Sequence, residues 1–266
     1  MDLLENTAPL VSPQVEFNRP HVGIVACSAE GAALCYRTFC VEGAKTFGEH
    51  AHPDVSLHTH CLADYMVRVR RGDWRAVGDL MLSSARRLQQ MGAEILVCPD
   101  NTIHQAFEYV ESESPVPWLH IARVVAAEAR RHGYTRLGIL GTKYLMEGPV
   151  YPTACMQLGL VSSTPDQPTR KAIDRIIFEE LVYGRVLPSS AQFFRDVITR
   201  LREQDCDAVV LGCTEIPLIV DPQESPLPTL DSTRLLARAA LAWAQNRSDQ
   251  VKTRAGQEGT FQGRSR

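Results

Sequence analysis

A chain of 266 residues has room for one large domain or two smaller ones with full hydrophobic cores. With 44% hydrophobic residues, 22% charged residues and a formal net charge of -3, it reads as an ordinary soluble globular protein without the basic footprint of a nucleic-acid binder. Its eight cysteines form no CxxC pair and no dense disulfide spacing, no apolar run reaches the ~18 residues of a membrane span, and Met1 to Asn6 is acidic rather than signal-like, which together point to a reduced, cytoplasmic protein with no nucleic-acid or membrane partner.

Residues 1–18 read as a loose lead-in, and 246–266, where Gly256, Gly259 and Gly263 stand among polar residues, as a disordered tail. Between them the pattern is apolar run, turn, amphipathic helix, repeated. Strands are expected at Val22–Ala26, Val55–Leu57, Ile95–Cys98, Trp118–Ile121, Leu137–Leu140, Leu160–Ser163, Ala208–Leu211 and Leu227–Leu230. Strands alternating with helices predict an α/β fold built on parallel sheet. Val77, Leu80, Met81, Ser84, Leu88 and Met91 recur at helical spacing before Gly92, as do Ile173, Ile176, Ile177 and Leu181, and Phe194, Val197, Ile198 and Leu201. These stripes are core-facing.

The chain also repeats itself. Val22-Gly23-Ile24-Val25 returns as Leu137-Gly138-Ile139-Leu140, Ile95 to Thr102 returns around Val209 to Thr214, and Glu113-Ser114-Pro115 returns as Glu224-Ser225-Pro226, at offsets of 115, 113 and 111 residues. The consequence is two similar α/β halves packed about a pseudo-twofold axis, facing one crevice. Asp100 and Cys213 then occupy equivalent positions. Each follows an apolar strand, at the carboxyl edge where open α/β folds bind ligands. Glu215, two residues beyond Cys213, is placed to hold or relay its proton, while Asn101, Thr102, Thr142 and Thr214 are candidates to hold a substrate carboxylate.

Four stretches, Asp100-Asn101-Thr102-Ile103-His104, Gly141 to Glu147, Ile176 to Leu181 and Gly212-Cys213-Thr214-Glu215-Ile216, resemble the aspartate/glutamate racemase family, most of all its broad-specificity amino-acid racemases. The resemblance runs from about Gly23 to Trp243. It implies two four-stranded parallel domains, a site at their interface, no cofactor or metal, a homodimer, and racemisation by two groups acting on opposite faces of Cα. It also implies that Cys213 is catalytic, that Asn101, Thr102 and Thr214 bind the substrate carboxylate, and that Thr142 touches the substrate. The expected domains are 19–115 plus 222–245 and, between them, 116–221. The activity implied is cofactor-independent racemisation of aspartate, glutamate or a similar amino acid. The alternatives are a single-thiol decarboxylase or isomerase of a small carboxylic acid, and a catalytically inactive small-molecule binding protein.

Two positions depart from the family pattern. Asp100 stands where the resemblance implies a second catalytic cysteine, and a carboxyl with its ordinary pKa near ~3.9 is a weaker base than a thiolate unless burial raises it. Asp100 as the acid opposite Cys213, Asp100 as a binder of a substrate amine, and proton transfer on one face only are all compatible with this substitution, as is simple capping of the following helix. In the first loop, Cys27 and Ser28 replace part of a glycine-rich turn and are expected near the crevice. Lys171 is a candidate binder of a side-chain carboxylate. Outside the resemblance, His50, His52, His58 and His60 form two His-x-His pairs, a solvated loop or, through His58 and His60 on one strand face, a metal site.

Overall fold

The apolar runs form strands in a computed structural model that describes residues 19–262. The elements are β1 (His21–Ala26), α1 (Ala29–Phe47), β2 (Asp54–Thr59), α2 (Leu62–Arg71), α3 (Trp74–Gln90), β3 (Ile95–Val97), α4 (Phe107–Glu113), β4 (Trp118–Leu119) and α5 (Ile121–Arg131). They continue with β5 (Arg136–Leu140), α6 (Lys143–Met146), α7 (Val150–Gln157), β6 (Val161–Ser163), α8 (Gln167–Glu179), α9 (Pro188–Glu203), β7 (Ala208–Leu211), β8 (Thr229–Asp231) and α10 (Ser232–Gln262). The strands make two four-stranded sheets, β2-β1-β3-β4 and β6-β5-β7-β8, parallel at every paired edge. The second order is the first moved on by four strands. Helices cover both faces of each sheet, which is why β1, β3, β5 and β7 are near-continuous apolar runs rather than alternating ones.

The repeat extends to individual hydrogen bonds. Glu94 N donates to His21 O at 2.8 Å and Asp207 N to Arg136 O at 2.9 Å; Leu96 N to Pro117 O and Val209 N to Pro228 O are both 2.9 Å. Ser114 Oγ bonds to Val116 O and Ser225 Oγ to Leu227 O, each at 2.7 Å. The paired glycines have one physical reason. A Cβ on Gly23 would lie 2.5 Å from Leu96 of the paired strand and 3.2 Å from Leu88 of α3, and one on Gly138 would lie 2.8 Å from Leu201 of α9, so each opening strand must be bare for its neighbours to pack against it.

The expected division of the chain shifts at two points. β4, expected in the second unit, pairs with β3 in the first sheet, and β8, expected in the first, pairs with β7 in the second. The Pro117 and Pro228 carbonyls join the ladder one residue ahead of each strand, committing it to the edge of its own half before the chain can cross. The crossings therefore fall after Leu119 and after Asp231. Beyond the second crossing α10 does return to the first sheet, where Leu236, Ala237, Ala240 and Leu241 pack on Val22, Ile24 and Val97. α10 runs to Gln262, replacing the disordered tail expected from 246. Ser248 Oγ bonds back to Ala244 O at 3.0 Å and Arg247 pairs with Glu94, so polar residues extend the helix instead of ending it. The expected lead-in, 1–18, lies outside the described residues.

Candidate active site

The carboxyl ends of β3 and β7 open on one crevice, lined by both halves. Asp100, Asn101 and Thr102 enter from the loop after β3, Gly212, Cys213, Thr214 and Glu215 from the loop after β7, Cys27 and Ser28 from the loop after β1, and Thr142 from the loop after β5. Nine of the ten expected site residues are thus brought together. The tenth, Lys171, is an exposed residue of α8 and is not part of the lining. Its helix turns Ile173, Ile176 and Ile177 to the core, and a residue two positions ahead of Ile173 faces away from that stripe.

Asp100 does not cap the turn that follows it. That 3₁₀ turn, Thr102–Ala106, receives no side-chain cap. Instead Asp100 Oδ2 accepts from the backbone amides of Cys27 at 3.2 Å and Ser28 at 3.1 Å, the two residues that lead into α1. Ser28 itself caps α1, its Oγ accepting from Gly31 N at 3.2 Å. Gly31 is required by proximity, since a Cβ there would stand 2.9 Å from Ser28 Oγ, 2.9 Å from Thr214 Cγ2 and 3.4 Å from Asp100 Oδ2. The start of α1 is therefore wedged between the two half-sites. Burial pushes the Asp100 carboxyl up to about 6, and the Glu215 charge adds to the rise, against the pull of hydrogen bonds from Ser28 and Cys27.

Cys213 Sγ donates to Glu215 Oε2 at 2.8 Å, and Thr214 Oγ1 donates to the same oxygen at 2.9 Å. Burial pushes the Cys213 thiol well up, and the Glu215 carboxylate pushes it further, so the resting residue is a thiol rather than a thiolate. Cys27 is raised in the same way, by burial first and then by Asp100. No cation stands beside it to stabilise a thiolate, and its side chain packs in the core of the first half.

Asn101 is more structural than expected. Its Nδ2 donates to Ser232 Oγ at 2.9 Å and its Oδ1 accepts from Tyr151 Oη at 2.8 Å, tying the loop after β3 to α10 and α7. Thr102 and Thr142 hydroxyls meet at 3.0 Å, a bond between the halves at the crevice wall. His104 adds an anchor that the sequence reading passed over. Its Nδ1 lies 2.9 Å from Asp100 O and its Nε2 accepts from Ile121 N at 3.4 Å, and burial lowers its pKa to about 4, keeping it neutral.

Sequence reasoning missed most of the crevice wall. Leu62, Tyr65, Met66 and Val69 of α2 line one side, and Tyr144, Ile177, Phe178 and Val182 the other. The signal was available for α2, because 62, 65, 66 and 69 are spaced i, i+3, i+4, i+7. The histidines lie apart. His58 Nδ1 meets Ser84 Oγ at 2.9 Å, Arg87 Nη1 approaches His58 Nε2 at 2.6 Å, and the His58 and His60 rings stand edge to face at 4.9 Å. With both nitrogens of His58 engaged, no group of three or more metal-binding side chains forms among the described residues.

Two pseudo-symmetric parallel α/β halves each offer the end of their third strand to a shared crevice. The Asp/Glu/hydantoin racemase family model matches residues 35–240, and the chain belongs to this family. Among solved structures, one of a candidate Asp/Glu racemase from Yersinia pestis is 31% identical, covering 85% of this chain and 99% of that one with a TM-score of 0.79. An aspartate racemase homologue from Pyrococcus horikoshii is 25% identical over 84% of this chain and 98% of its own, at a TM-score of 0.74. Among curated sequences, the broad-specificity amino-acid racemase RacX of Bacillus subtilis is 23% identical over 61% of this chain and 70% of its own length. A Limosilactobacillus reuteri glutamate racemase is 25% identical over 54% of this chain and 52% of its own.

Proposed function

We propose that the crevice racemises a free amino acid without a cofactor, with Asp100 and Cys213 acting on opposite faces of Cα. The observation that carries this reading is the placement of both residues at equivalent ends of β3 and β7, on the walls of one crevice. With its pKa near 6, Asp100 is mostly ionised at neutral pH yet readily protonated, the condition a general base needs to take a proton and release it. Cys213, held as a thiol against Glu215, is the proton donor for the other face. Charge building on the substrate carboxylate is met by the hydroxyls of Thr102, Thr142 and Thr214 and by loop amides.

One turnover leaves a neutral Asp100 carboxyl and a Cys213 thiolate. The resting state returns when Asp100 loses its proton and Cys213 regains one. Glu215, in contact with both Cys213 and Thr214, is the group through which that proton passes.

The test is α-hydrogen exchange in deuterium oxide, followed with inversion, over a panel of amino acids in both configurations. Exchange with inversion is expected; a panel in which nothing exchanges or inverts rejects the reading. The carboxylate at 100 favours a second reading, in which Cys213 alone delivers a proton after decarboxylation of a malonate-like acid. That reading predicts turnover without inversion of any amino acid and tolerance of Asp100→Ala. Ligand-induced thermal stabilisation without any turnover would instead identify a binding protein. Dimerisation is carried here only by the family resemblance, and sedimentation velocity decides it.

A further inference from the structure

We propose that the amino acid this crevice accepts carries an apolar, uncharged side chain of leucine, methionine or phenylalanine size, an inference that rests on the racemase reading and names its substrate class. The charged groups of the crevice are of one sign. Asp100 and Glu215 are both carboxyls, and among the described residues no lysine, arginine or histidine lines it. A zwitterionic amino acid brings its own ammonium to these carboxylates and its α-carboxylate to the hydroxyls of Thr102, Thr142 and Thr214. A second, side-chain carboxylate would enter a partly desolvated space against two like charges with no cation to meet it, which is costly at short range.

What remains for the side chain is carbon apart from the hydroxyls of Tyr65 and Tyr144. The crevice-facing stripe of α2 consists of Leu62, Tyr65, Met66 and Val69, one turn after another on one face of the helix. Opposite it stand Ile177 and Phe178 of α8, with Val182 in the turn that follows. Leu62 and Val182 keep 39% and 40% of their surface exposed, so apolar surface lies open at the crevice until something covers it. Apolar walls with a few converging polar groups are the usual form of a small-molecule site. Two cations of the second half lie outside the lining. Lys143 carries its ammonium over the Tyr144 ring, 5.0 Å from the centroid, and Lys171 is exposed on α8.

The test compares kcat/KM for α-hydrogen exchange of methionine, leucine and phenylalanine with that of aspartate and glutamate, and repeats it on Met66→Ala, Phe178→Ala and Lys143→Met. Expected is a preference of about tenfold or more for the apolar set, lost by about tenfold in Met66→Ala or Phe178→Ala, with alanine exchange and the Lys143→Met variant unchanged. Faster exchange of aspartate or glutamate, abolished in Lys143→Met, overturns the proposal and leaves the racemase reading standing. If no amino acid exchanges, the racemase reading fails, and the side-chain proposal is read from thermal stabilisation alone. Phenylalanine or phenylacetate raising Tm more than glutamate or succinate upholds it. The reverse order, or no shift with either, rejects it.

Discussion

The loops after β3 and β7 occupy the same place in two copies of one frame, yet they hold their reactive groups by different means. In the first half, Asp100 hangs from backbone amides of the turn before α1, and burial raises its pKa to about 6. In the second, the turn before α6 has the same cap, Thr142 Oγ1 accepting from Leu145 N as Ser28 Oγ accepts from Gly31 N, but no amide from it reaches Cys213. That half supplies Glu215 instead. The residue equivalent to Glu215 is Thr102, which reaches across to Thr142 rather than back to its own half-site. A repeated backbone therefore carries unlike groups, a carboxyl hung on backbone amides on one side and a thiol bonded to a carboxylate on the other. The asymmetry resides in which side chain each loop turns toward the reactive group.

The largest effect expected comes from removing either group. Cys213→Ala and Asp100→Ala are each expected to lower inversion by about 10²–10⁴-fold, the usual contribution of a positioned acid or base, measured by polarimetry on the best substrate. Equal losses make the two half-sites partners. Full inversion in Asp100→Ala breaks the comparison and moves the function toward single-face chemistry at Cys213. Asp100→Cys makes the halves alike and is expected to retain or raise inversion.

Next comes pH. Below about 6 both Asp100 and Cys213 are protonated and no base remains, so kcat/KM is expected to rise with pH through about 6, close to tenfold per pH unit below it, and then level off. The alkaline limb lies well above the ordinary thiol range, because Cys213 is pushed up. Racemisation has an equilibrium constant of one, so kcat/KM shares this limb in both directions and the inequality of the halves shows in kcat and KM, which change together by the same factor. Loss of the acid limb in Asp100→Cys assigns it. An unchanged limb in that variant assigns it elsewhere.

Much of this frame was legible in the sequence, because it rests on features that repeat. Gly23 and Gly138 mark strands that helices approach closely, and the two Ser-Pro turns mark the strands that follow them. The crossings were misplaced because apolar pattern does not say which of two similar sheets a short strand joins; the hydrogen bonds of Pro117 and Pro228 decide that. Residues with reactive groups were found by motif. The apolar wall of α2 was not, since a stripe at 62, 65, 66 and 69 reads the same whether it faces a core or a crevice. The use of Asn101 as a strut to Tyr151 and Ser232 was equally hidden, because both partners are distant in sequence.

A smaller effect separates the two modes of holding a proton. Glu215 raises the Cys213 thiol through its charge and through the hydrogen bond it accepts. Glu215→Gln is therefore expected to lower that pKa and to speed alkylation of Cys213 by iodoacetamide near pH 8, by about tenfold for each unit of pKa. Inversion is expected to fall in the same variant, since the relay is lost. Faster alkylation with slower turnover is the signature of a guard that also carries the proton. Slower alkylation would mean that Glu215 exposes the thiol rather than guarding it.

The smallest effect concerns one of the bonds that join the halves at the crevice wall, Thr102 Oγ1 to Thr142 Oγ1 at 3.0 Å. Both residues are only half-buried, so Thr102→Val or Thr142→Val is expected to cost about 0.5–1.5 kcal/mol in urea unfolding. In a double-mutant cycle the second substitution should cost less once the first is made, because the shared bond is already gone. In the proposed function the same hydroxyls meet the substrate carboxylate, so substrate would compete for them. Saturating substrate is therefore expected to shrink the coupling between the two positions. Coupling that persists in full would make the pair a structural clasp and leave Thr214 and the loop amides to hold the carboxylate.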